Sequence, residues 1–431
     1  MTGNQALEFI HSRARFGVRP GLERIKKLCA MLGDPQDAPG MKYIHVAGTN
    51  GKGSVCKMIA EILRAAGYKT GLYTSPYLES FGERMQIDSR NISLPELAEL
   101  VGEVKPLVKK LDRRGGTLTE FEVVTACAFL WFKRQNCDIV VLETGLGGRF
   151  DATNIIKKPL VTVLSAISLD HTDILGGTLA KIAFEKCGII KPGTTVITPA
   201  AQPVPALEVI MRTCCERQAR VINVYPQSVE ILERGRDFTQ FKYGLIEVAL
   251  PLAGKHQIEN AVMAIEAASL LNQRWFVVRN DSIVKGLKAA KFPARLELIS
   301  KQPAVLLDGA HNRGSMAALA GYLKRFFAGV PVTAIIGMMK DKDCASVLSI
   351  IAPLCKNIIT VAPDNPRAAS SMELAELAEK FCPDVTAADS TGEALWFASS
   401  CAAPDGLLLI CGSLYLAGQL RPLLKNTYRL T

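Results

Sequence analysis

Short runs of consecutive apolar residues alternate along this chain with longer stretches in which apolar residues recur every three or four positions. Runs of the first kind are typical of buried parallel strands, and stretches of the second kind are typical of helices. Strands that alternate with helices in this way predict α/β layers on a mainly parallel sheet. In the first half of the chain, strands are predicted at YIHVAG, TGLYTS, DIVVLETG, LVTVLSAI and TTVITP.

A second series of apolar runs follows residue 300, at AVLLDGA, VTAIIGM, NIITVAP and GLLLICGS. Between the two series, a helical pattern covers about residues 256–292 and ends in KFPARLE. Because 431 residues exceed one ordinary domain, we predict two α/β domains. Residues 1–294 would form a P-loop-type ATPase domain with a mainly parallel sheet, and residues 295–431 a smaller Rossmann-like domain, with a hinge near Pro293.

The turn after the first predicted strand, in VAGTNGKGSVC, is close to an ATP phosphate loop but departs from its usual spelling. Val46 stands where the first glycine belongs, and Gly53 takes the hydroxyl position, one residue before Ser54. Apolar residues at helical spacing then predict a helix, and a strand, a glycine-rich turn and a helix direct backbone N–H groups at an anion. We favour a phosphate loop over 48–54, with Lys52 as a charge for the phosphates, over a turn that binds nothing.

Composition narrows the class of protein. The net charge of +10 is typical of a solvated basic surface or of attraction to anionic ligands such as nucleotides. Aromatic residues are only 6% of the chain and do not interleave with basic clusters, so no nucleic-acid binding is expected. The longest apolar run, VVTACAFLWF, is too short to span a membrane, and the N-terminus lacks a signal-peptide pattern. We expect a cytoplasmic protein whose cysteines are reduced core residues, because none forms a CxxC pair.

Residues with catalytic potential follow the predicted strands, at the edge where open parallel sheets bind ligands. Ser75 ends one strand and Glu143 another, and Asp170 and His171 follow a third. A carboxylate such as Glu143 needs a partner there, and a metal ion, a helix N-terminus or a basic side chain would each serve. A lone histidine is more often structural, but His171 follows a strand beside this carboxylate. Oxygen ligands with one imidazole suit Mg²⁺ or Mn²⁺ better than zinc.

Other candidates lie further along the chain. Lys186 ends a predicted helix in IAFEKCGIIKPG, where position alone indicates a surface lysine. His256 and Asn260 share one face of the next predicted helix. LLDGAHN places Asp308, His311 and Asn312 just after the first strand of the second domain. A cleft between the two sets of strand ends is the expected ligand site.

Ten segments occur in the order seen in the bacterial folylpolyglutamate synthase/dihydrofolate synthase family, which is part of the Mur ligase superfamily. The chain resembles this family from about residue 18 to about residue 420, and ten segments in order are far more specific than any one of them. Phe150 replaces the leucine usual in the family, which affects pocket shape rather than chemistry, and Cys187 replaces a more common small residue and should be tolerated. The segments are HVAGTNGKGSVC, TEFEVVTACAF, LETGLGGRFDATN, LDHTDILGGTLAKIAFEKCGIIKPG, GKHQIENAVMA, PARLE, LDGAHN, GMMKDKD, DNPRA and GSLYLAG.

The resemblance implies ATP and two Mg²⁺ ions as cofactors, with a K⁺ site also compatible, and it implies carbamylation of Lys186 by CO₂. A carbamate forms only on a neutral amine, and burial favours the neutral form of a lysine. The resemblance therefore implies that Lys186 is buried, against the surface position that its place in the helix indicates. His311 would face the reaction centre from the second domain. Nucleotide binding would fall to Asn50, Gly51, Lys52, Gly53, Ser54, Asn260, Arg295 and Asp308. The metal ligands would be Ser75, Glu143, His171 and Lys186, and the catalytic residues Lys52, Glu143, His171, Lys186 and His311.

The implied reaction is ATP-dependent amide ligation of L-glutamate to tetrahydrofolate, to dihydropteroate or to both, through an acyl phosphate. Only small-molecule partners are expected, with no nucleic acid and no membrane, and the protein would be a monomer. The pterin-bearing substrate would lie against two segments, Thr119, Glu120, Phe121 and Glu122 in the first and Gly148, Arg149, Phe150 and Asp151 in the second.

Three other functions are open on the sequence. A cell-wall ligase acting on a peptidyl nucleotide would need an additional N-terminal domain, whereas only about 45 residues precede the phosphate loop. An ATP-binding regulatory module would have lost some of the metal and phosphate positions, and these are intact. A nucleoside kinase would leave the second domain without a role.

Overall fold

The computed structural model describes residues 1–17, 19–273 and 275–428. Eight strands form its first sheet: β1 (Lys42–Ala47), β2 (Thr70–Tyr73), β3 (Met85–Ile87), β4 (Arg90–Asn91), β5 (Ile139–Glu143), β6 (Val161–Leu164), β7 (Thr195–Pro199) and β8 (Arg220–Val224). They lie in the order β4-β3-β2-β5-β1-β6-β7-β8. All neighbours from β2 to β8 run parallel, whereas β3 and β4 add an antiparallel edge. The sheet is therefore mainly parallel, as predicted.

Eight helices accompany this sheet: α1 (Gly3–His11), α2 (Glu23–Met31), α3 (Lys52–Ala65), α4 (Leu94–Asp112), α5 (Glu120–Arg134), α6 (Thr172–Leu175), α7 (Leu179–Cys187) and α8 (Val204–Glu216). The apolar run VVTACAFLWF lies within α5 and is buried against α1, α2 and α4, so it is a core helix. None of the helices in the described ranges is both long and apolar enough to cross a membrane. All twelve cysteines are free, and eight of them are buried.

A small antiparallel sheet that the sequence pattern did not predict follows β8. Its strands are β9 (Val229–Arg234), β10 (Thr239–Tyr243) and β11 (Ile246–Leu250). The helical pattern predicted over 256–292 proves to be two helices, α9 (Lys255–Asn272) and α10 (Asn280–Ala289). Both pack against α3, the helix that follows the glycine-rich turn. The core of the domain therefore fixes the position of α3 and of the glycine-rich turn that precedes it.

The second sheet has six strands: β12 (Glu297–Lys301), β13 (Ala304–Leu307), β14 (Val332–Ile336), β15 (Asn357–Val361), β16 (Val385–Ala388) and β17 (Leu407–Cys411). Their order is β12-β13-β17-β14-β15-β16, and every pair except β12 with β13 is parallel. Its helices are α11 (Arg313–Phe326), α12 (Cys344–Ile351), α13 (Ser371–Ala378), α14 (Thr391–Cys401) and α15 (Leu414–Thr427). The predicted fold class is confirmed. The boundary at residues 294 and 295 falls in the connection between α10 and β12, and its action as a hinge stays a prediction.

The strand order places β1 at the point where the chain changes direction across the first sheet. From β1 the chain continues to β2 on one side, and from β5 it crosses to β6 on the other. Loops after the strands that flank such a point form the crevice in which open α/β sheets bind ligands. The predicted site residues after β1, β2, β5 and β6 therefore share one edge.

Candidate active site

The glycine-rich turn joins β1 to α3 with the geometry expected of a phosphate loop. The helix begins at Lys52, and Gly51 before it has a φ of 88°, in the left-handed region that favours glycine. A Cβ atom at Gly51 would also lie 2.4 Å from Oδ1 of Asn260, so this position has no room for a side chain. The first turn of α3 carries no acidic residue. Its backbone N–H groups and the nearby Lys52 are thus suited to an anionic ligand.

Glu143 ends β5 beside this loop. Its Oε2 accepts a hydrogen bond of 3.1 Å from the backbone N–H of Ser75, which joins two of the residues predicted to hold magnesium. A Cβ atom at Gly53 would lie 3.4 Å from the same oxygen, so the carboxylate lies against the first turn of α3. Burial raises the pKa of Glu143, and Lys52 is the first of the groups that oppose the rise. A buried carboxylate in such a place gains from a cationic partner.

Lys186 is buried, with only 4% of its surface exposed, so the surface position indicated by the helix end alone is wrong. Its Nζ donates a 2.7 Å hydrogen bond to the carbonyl of Gly48 in the phosphate loop. Burial and the charge of Lys52 lower the pKa of Lys186 from 10.5 to about 7. The amine is therefore largely neutral above neutral pH, which is the form that reacts with CO₂. The last turn of α7 places it there because Gly148 lets the loop after β5 approach closely: a Cβ atom on this glycine would lie 2.8 Å from the Lys186 carbonyl oxygen.

Asp170, in the loop after β6, lies where the two domains meet. Its Oδ1 accepts a 2.6 Å hydrogen bond from Nζ of Lys342, and its Oδ2 accepts one of 3.0 Å from Nδ2 of Asn312. Nε2 of His311 is 3.8 Å from the same Oδ2. Burial acts to raise the pKa of Asp170, but the contact with His311 and the charge of Lys342 hold it well below its usual range. An ionised carboxylate of the first domain is thus held by three residues of the second.

The phosphate loop itself also contacts the second domain. Nδ2 of Asn312 donates to Oδ1 of Asn50 at 3.0 Å, and Nδ2 of Asn50 donates to Oδ1 of Asn312 at 3.3 Å. Asn50 also donates to Oγ of Ser168 at 3.1 Å. The backbone of Asn312 is fixed, because this residue caps α11 together with Ser315. The strand ends of the two domains therefore face each other, as the sequence predicted.

His171 lies beside Asp170 but is not placed like a metal ligand. Its Nε2 is 3.3 Å from Nζ of Lys342, and its Nδ1 is 3.9 Å from a carboxylate oxygen of Asp341. Burial and the charge of Lys342 lower the pKa of His171 to about 4, so the ring is neutral, as metal ligation requires. A metal ion and an ammonium cannot share one ring nitrogen. Metal binding by His171 would require Lys342 to move.

The residues around Glu143 fit a magnesium ion that is shared with a nucleotide. In residues 1–17, 19–273 and 275–428, no group of three or more His, Cys, Asp or Glu side chains could hold a metal ion by itself. Mg²⁺ in phosphate-transferring sites is typically held by one or two carboxylates together with substrate phosphates and water. Glu143 supplies such a carboxylate at the phosphate loop, and Ser75 lies beside it through its backbone N–H. Both magnesium ions and the potassium ion stay predictions.

Arg295 lies in the connection between α10 and β12, close to the phosphate loop. Its guanidinium stacks on the ring of Phe292 at 5.3 Å, and its Nη1 donates to the carbonyl of Ala294 at 3.0 Å. Phe292 in turn contacts the loop, since a Cβ atom at Gly53 would lie 2.7 Å from its Cζ. Arg295 and Asn260 therefore approach the phosphate loop from two different elements.

Asp308 directly follows β13 and holds this connection in place. One carboxylate oxygen accepts a hydrogen bond of 2.7 Å from the N–H of Leu296, and the other accepts one of 2.8 Å from Ala310. Leu296 and Ala294 both have positive φ angles, near 50°, which are costly for residues with a side chain. The hydrogen bonds from Asp308 offset part of that cost. A role for Asp308 in binding ribose stays a prediction.

The first predicted substrate segment forms the start of α5. Thr119 caps this helix, and Glu122 accepts hydrogen bonds from the Thr119 backbone at 2.8 Å and hydroxyl at 3.0 Å. Glu120 accepts a hydrogen bond from Arg84 at 3.1 Å. Phe121 lies against the loop after β5, because a Cβ atom at Gly145 would lie 2.6 Å from its ring. Thr119 and Glu122 therefore build the helix start, whereas Glu120 pairs with Arg84 and Phe121 packs on the loop after β5.

The second segment, from Gly148 to Asp151, covers the end of α7. Oδ2 of Asp151 accepts the N–H groups of Gly145 at 2.8 Å and Leu146 at 2.9 Å, and its Oδ1 accepts the N–H of Thr153 at 3.0 Å. This carboxylate is thus occupied in shaping its own loop. Arg149 pairs with Glu185 at 2.7 Å and stacks on Phe150, whose ring is 43% exposed. Among the four residues, Arg149 and Phe150 present exposed side chains.

Sequence reasoning missed one residue of this site, Lys342. It follows β14 in the segment GMMKDKD, and the position after a parallel strand was the available signal. Its partner Asp170 is 172 residues away in the sequence and in the other domain. No local pattern links the two.

Comparisons with known proteins agree with this arrangement. The Mur ligase middle domain matches residues 46–268, and the Mur ligase glutamate ligase domain matches residues 294–414. The dihydrofolate synthase/folylpolyglutamate synthase of Bacillus subtilis is 38% identical over 430 residues, covering 97% of this chain and 98% of the relative. The folylpolyglutamate synthase of Lacticaseibacillus casei is 36% identical over 432 residues and covers 98% of each chain.

Solved structures extend the likeness over the whole fold. Mycobacterium tuberculosis folylpolyglutamate synthase complexed with ADP has a TM-score of 0.88 at 32% identity, covering 98% of each chain. Escherichia coli FolC in complex with DHPP and ADP has a TM-score of 0.86 at 30% identity, covering 99% of this chain and 98% of that one. The chain therefore belongs to the dihydrofolate synthase/folylpolyglutamate synthase family of Mur ligases.

Proposed function

We propose that this protein is an ATP-dependent ligase that joins L-glutamate to tetrahydrofolate and its polyglutamates, and also to dihydropteroate. The contact that carries this proposal is the pairing of Asn50 in the phosphate loop with Asn312 at the first strand end of the second domain. This pairing places the phosphate loop in direct contact with the glutamate ligase domain. A relative solved with ADP and DHPP supports a site that takes a nucleotide and a pterin compound together.

On this proposal, the first domain holds ATP. The N–H groups from Asn50 to Ser54 and the ammonium of Lys52 would contact the phosphates. Asn260 and Arg295 would contact the nucleotide from α9 and from the connection, with Asp308 at the ribose. Neutralising the transferring phosphoryl group is the main task of the protein in such a reaction, and Lys52 and Arg295 provide two positive charges for it.

Magnesium, when bound, would neutralise phosphate charge and orient the transferred group. Ser75 and Glu143 would hold the first ion, and Glu143 and a carbamate on Lys186 would hold the second. His171 would join the second ion once Lys342 has moved away from its ring. The carbamate forms when the neutral Nζ adds to CO₂ and releases one proton. The ammonium form of Lys186 would repel a metal ion, whereas the carbamate would attract one, and the low pKa of Lys186 favours the neutral amine that this step needs.

The reaction then follows from the placement of the reactants between the domains. A carboxylate oxygen of the acceptor attacks the γ-phosphorus of ATP, which gives an acyl phosphate and ADP. The amine of L-glutamate attacks the acyl carbon, phosphate leaves with the carbon–oxygen bond, and an amide remains. The attacking nitrogen must lose a proton. His311 would receive it: its Nδ1 donates to the Gly309 carbonyl at 2.8 Å, which leaves Nε2, 3.8 Å from Asp170, as the acceptor.

Closure of the domains at the connection around Pro293 would exclude water, which otherwise hydrolyses the acyl phosphate. Glu120, Phe121, Arg149 and Phe150 would line the acceptor side, and Thr119, Glu122, Gly148 and Asp151 would shape it. The protein is expected to act as a monomer in the cytoplasm.

The test is ADP release from Mg²⁺-ATP, measured with L-glutamate and either dihydropteroate, tetrahydrofolate or no acceptor. We expect turnover only when glutamate and a pterin acceptor are both present, and Lys52→Met should abolish it. Lys42→Met, which alters an exposed lysine at the opposite end of β1, is the control and should keep full activity. ADP release that does not depend on glutamate would contradict the ligase and indicate a kinase. Thermal stabilisation by a UDP-muramoyl peptide but not by a pterin would contradict the folate acceptor.

A further inference from the structure

The segment 75–84, which we name the Ser75 loop, contacts three separate parts of the molecule. At its start, the Ser75 N–H group bonds to Glu143 beside the phosphate loop. At its end, Arg84 pairs with Glu120 in the first substrate segment at 3.1 Å. In between, Leu78 and Glu79 contact α15 of the second domain. This loop is therefore placed to connect the nucleotide side, the acceptor side and the C-terminal helix.

The contact with α15 centres on Arg421, whose side chain is 12% exposed. Its guanidinium bonds to two carboxylates at once. One is Glu297 at the start of β12, with Nη2 to Oε1 at 2.6 Å and Nε to Oε2 at 2.8 Å. The other is Glu79 in the Ser75 loop, which accepts from Nη1. One side chain of the second domain thus holds both the connection between the domains and a loop of the first domain.

Backbone packing shows that this is a close fit and not only a surface pair. A Cβ atom at Gly418, one turn before Arg421 on α15, would lie 2.0 Å from the carbonyl oxygen of Leu78. The helix therefore lies directly on the backbone of the Ser75 loop, and only glycine allows this approach.

The Ser75 loop can pass a displacement from one end to the other because it is cross-linked internally. The carboxylate of Glu83 accepts the N–H groups of Leu78 at 2.8 Å, Glu79 at 3.0 Å and Ser80 at 2.9 Å. Arg84, the next residue, holds Glu120. A shift of Glu79 would therefore move Arg84 and the acceptor segment with it.

On the other side, Glu297 ties Arg421 to the connection. Its Oε2 accepts the N–H of Ala294 at 2.9 Å, next to Arg295. Ala294 has a φ of 53°, so this turn needs external contacts to persist. The position of the Arg421 guanidinium therefore depends, through Glu297, on the conformation of the connection between α10 and β12.

We propose that Arg421 is a positioning residue for the acceptor. Through Glu79 it fixes the position of the Ser75 loop, and thereby of the first substrate segment (119–122, here the acceptor segment), according to the orientation of the second domain. This proposal rests on the proposed ligase function. Arg421 touches no reacting atom in this account. Its effect should appear in the use of the pterin acceptor and not in the affinity for ATP.

The test compares Arg421→Met, Glu79→Gln, the double variant and Arg421→Lys in the full-length protein. Losing a charge-assisted hydrogen bond to a positioned loop should lower kcat/KM for tetrahydrofolate about tenfold in Arg421→Met and in Glu79→Gln, with KM for ATP unchanged. The double variant should be no worse than Arg421→Met, because Arg421→Met already removes the contact with Glu79. Arg421→Lys, which keeps the charge, should recover part of the loss.

Arg134→Met is the control, because Arg134 is also an arginine paired with a glutamate, Glu103, but it lies at the far end of α5 and is more exposed, at 37%. A purely structural role for Arg421 would lower melting temperature and raise KM for ATP and acceptor together, or would give the control the same kinetic loss. Either result would overturn the proposal, and so would independent effects in the double variant. Failure of the wild-type protein to release ADP with glutamate and a pterin would instead refute the ligase function.

Discussion

Replacing Lys186 with methionine should abolish ligation and yet stabilise the fold near neutral pH. The amine is buried in α7 at the phosphate loop, and its pKa falls from 10.5 to about 7. A group whose burial costs free energy and brings only one hydrogen bond, to the Gly48 carbonyl, is retained for function and not for stability. Methionine has a similar length and carries no charge to bury.

The magnitude follows from linkage between protonation and folding. Between pH 7 and 10.5 the unfolded chain binds a proton that the folded chain does not, so the free energy of unfolding rises with pH there. The slope approaches about 1.4 kcal/mol per pH unit, and the whole window corresponds to roughly 5 kcal/mol. Below pH 7 the full cost of the charged amine is present. Lys186→Met should therefore exceed the wild type in free energy of unfolding most below pH 7, and the difference should shrink as pH rises. The lost hydrogen bond to Gly48 reduces this difference by about 1 kcal/mol at every pH.

Urea denaturation of both proteins in CO₂-free buffer, at intervals from about pH 6 to about pH 9, measures this difference. Lys181→Met is the control, because Lys181 lies on the same helix and is exposed, and its difference from the wild type should not vary with pH. A difference for Lys186→Met that stays constant across this range would refute the reasoning. Added bicarbonate at the upper end should stabilise the wild type in the presence of Mg²⁺ and leave Lys186→Met unchanged.

Three further substitutions test other contacts. Gly51→Ala places a Cβ atom 2.4 Å from Asn260 at a φ of 88°, so calorimetric affinity for ATP should fall at least about tenfold, whereas Gly102→Ala, with open space around it, should bind normally. Glu143→Gln keeps an acceptor for the Ser75 N–H group but loses the charge, so half-maximal ADP release should need about tenfold more Mg²⁺, and an unchanged requirement would contradict a metal role. Lys342→Met leaves the Asp170 carboxylate buried without its ammonium and should lower the free energy of unfolding by about 3 kcal/mol in urea titrations, against little change for the exposed Lys340→Met.

The strands that could be predicted from the sequence share one physical feature, burial on both faces. All nine predicted strands are present, because a parallel strand between two helical layers must be apolar along its whole length. Eight strands were missed because they are half-exposed or very short: β3, β4, β8, β9, β10, β11, β12 and β16. In β9, for example, Glu230, Glu233 and Arg234 interrupt the apolar residues, so neither a regular alternation nor a continuous apolar run is visible. Such strands are held by their neighbours in the sheet more than by their own pattern.

Some residues of the candidate site could likewise be predicted from the sequence, and others could not. Ser75 and Glu143 follow strands of one parallel sheet, so the topology alone predicts that they meet. The burial of Lys186 could not be read from its helix, because it depends on the Gly48 carbonyl, 138 residues away. The capping of α5 by Thr119 and Glu122 is visible in the sequence as a capping box, but a binding segment would carry the same residues. Contacts across the junction, such as Lys342 with Asp170, depend on how two separately folded sheets face each other.

In the proposed reaction, ATP activates the acceptor carboxylate and glutamate then displaces phosphate. The most direct measurement uses tetrahydrofolate with heavy oxygen in the acceptor carboxylate, incubated with Mg²⁺-ATP, L-glutamate and the wild-type protein. An acyl phosphate predicts that one labelled oxygen per amide formed is found in the released inorganic phosphate, and that none appears without glutamate or the acceptor. Amide formation with unlabelled phosphate, or phosphate release without an amide product, would contradict the account.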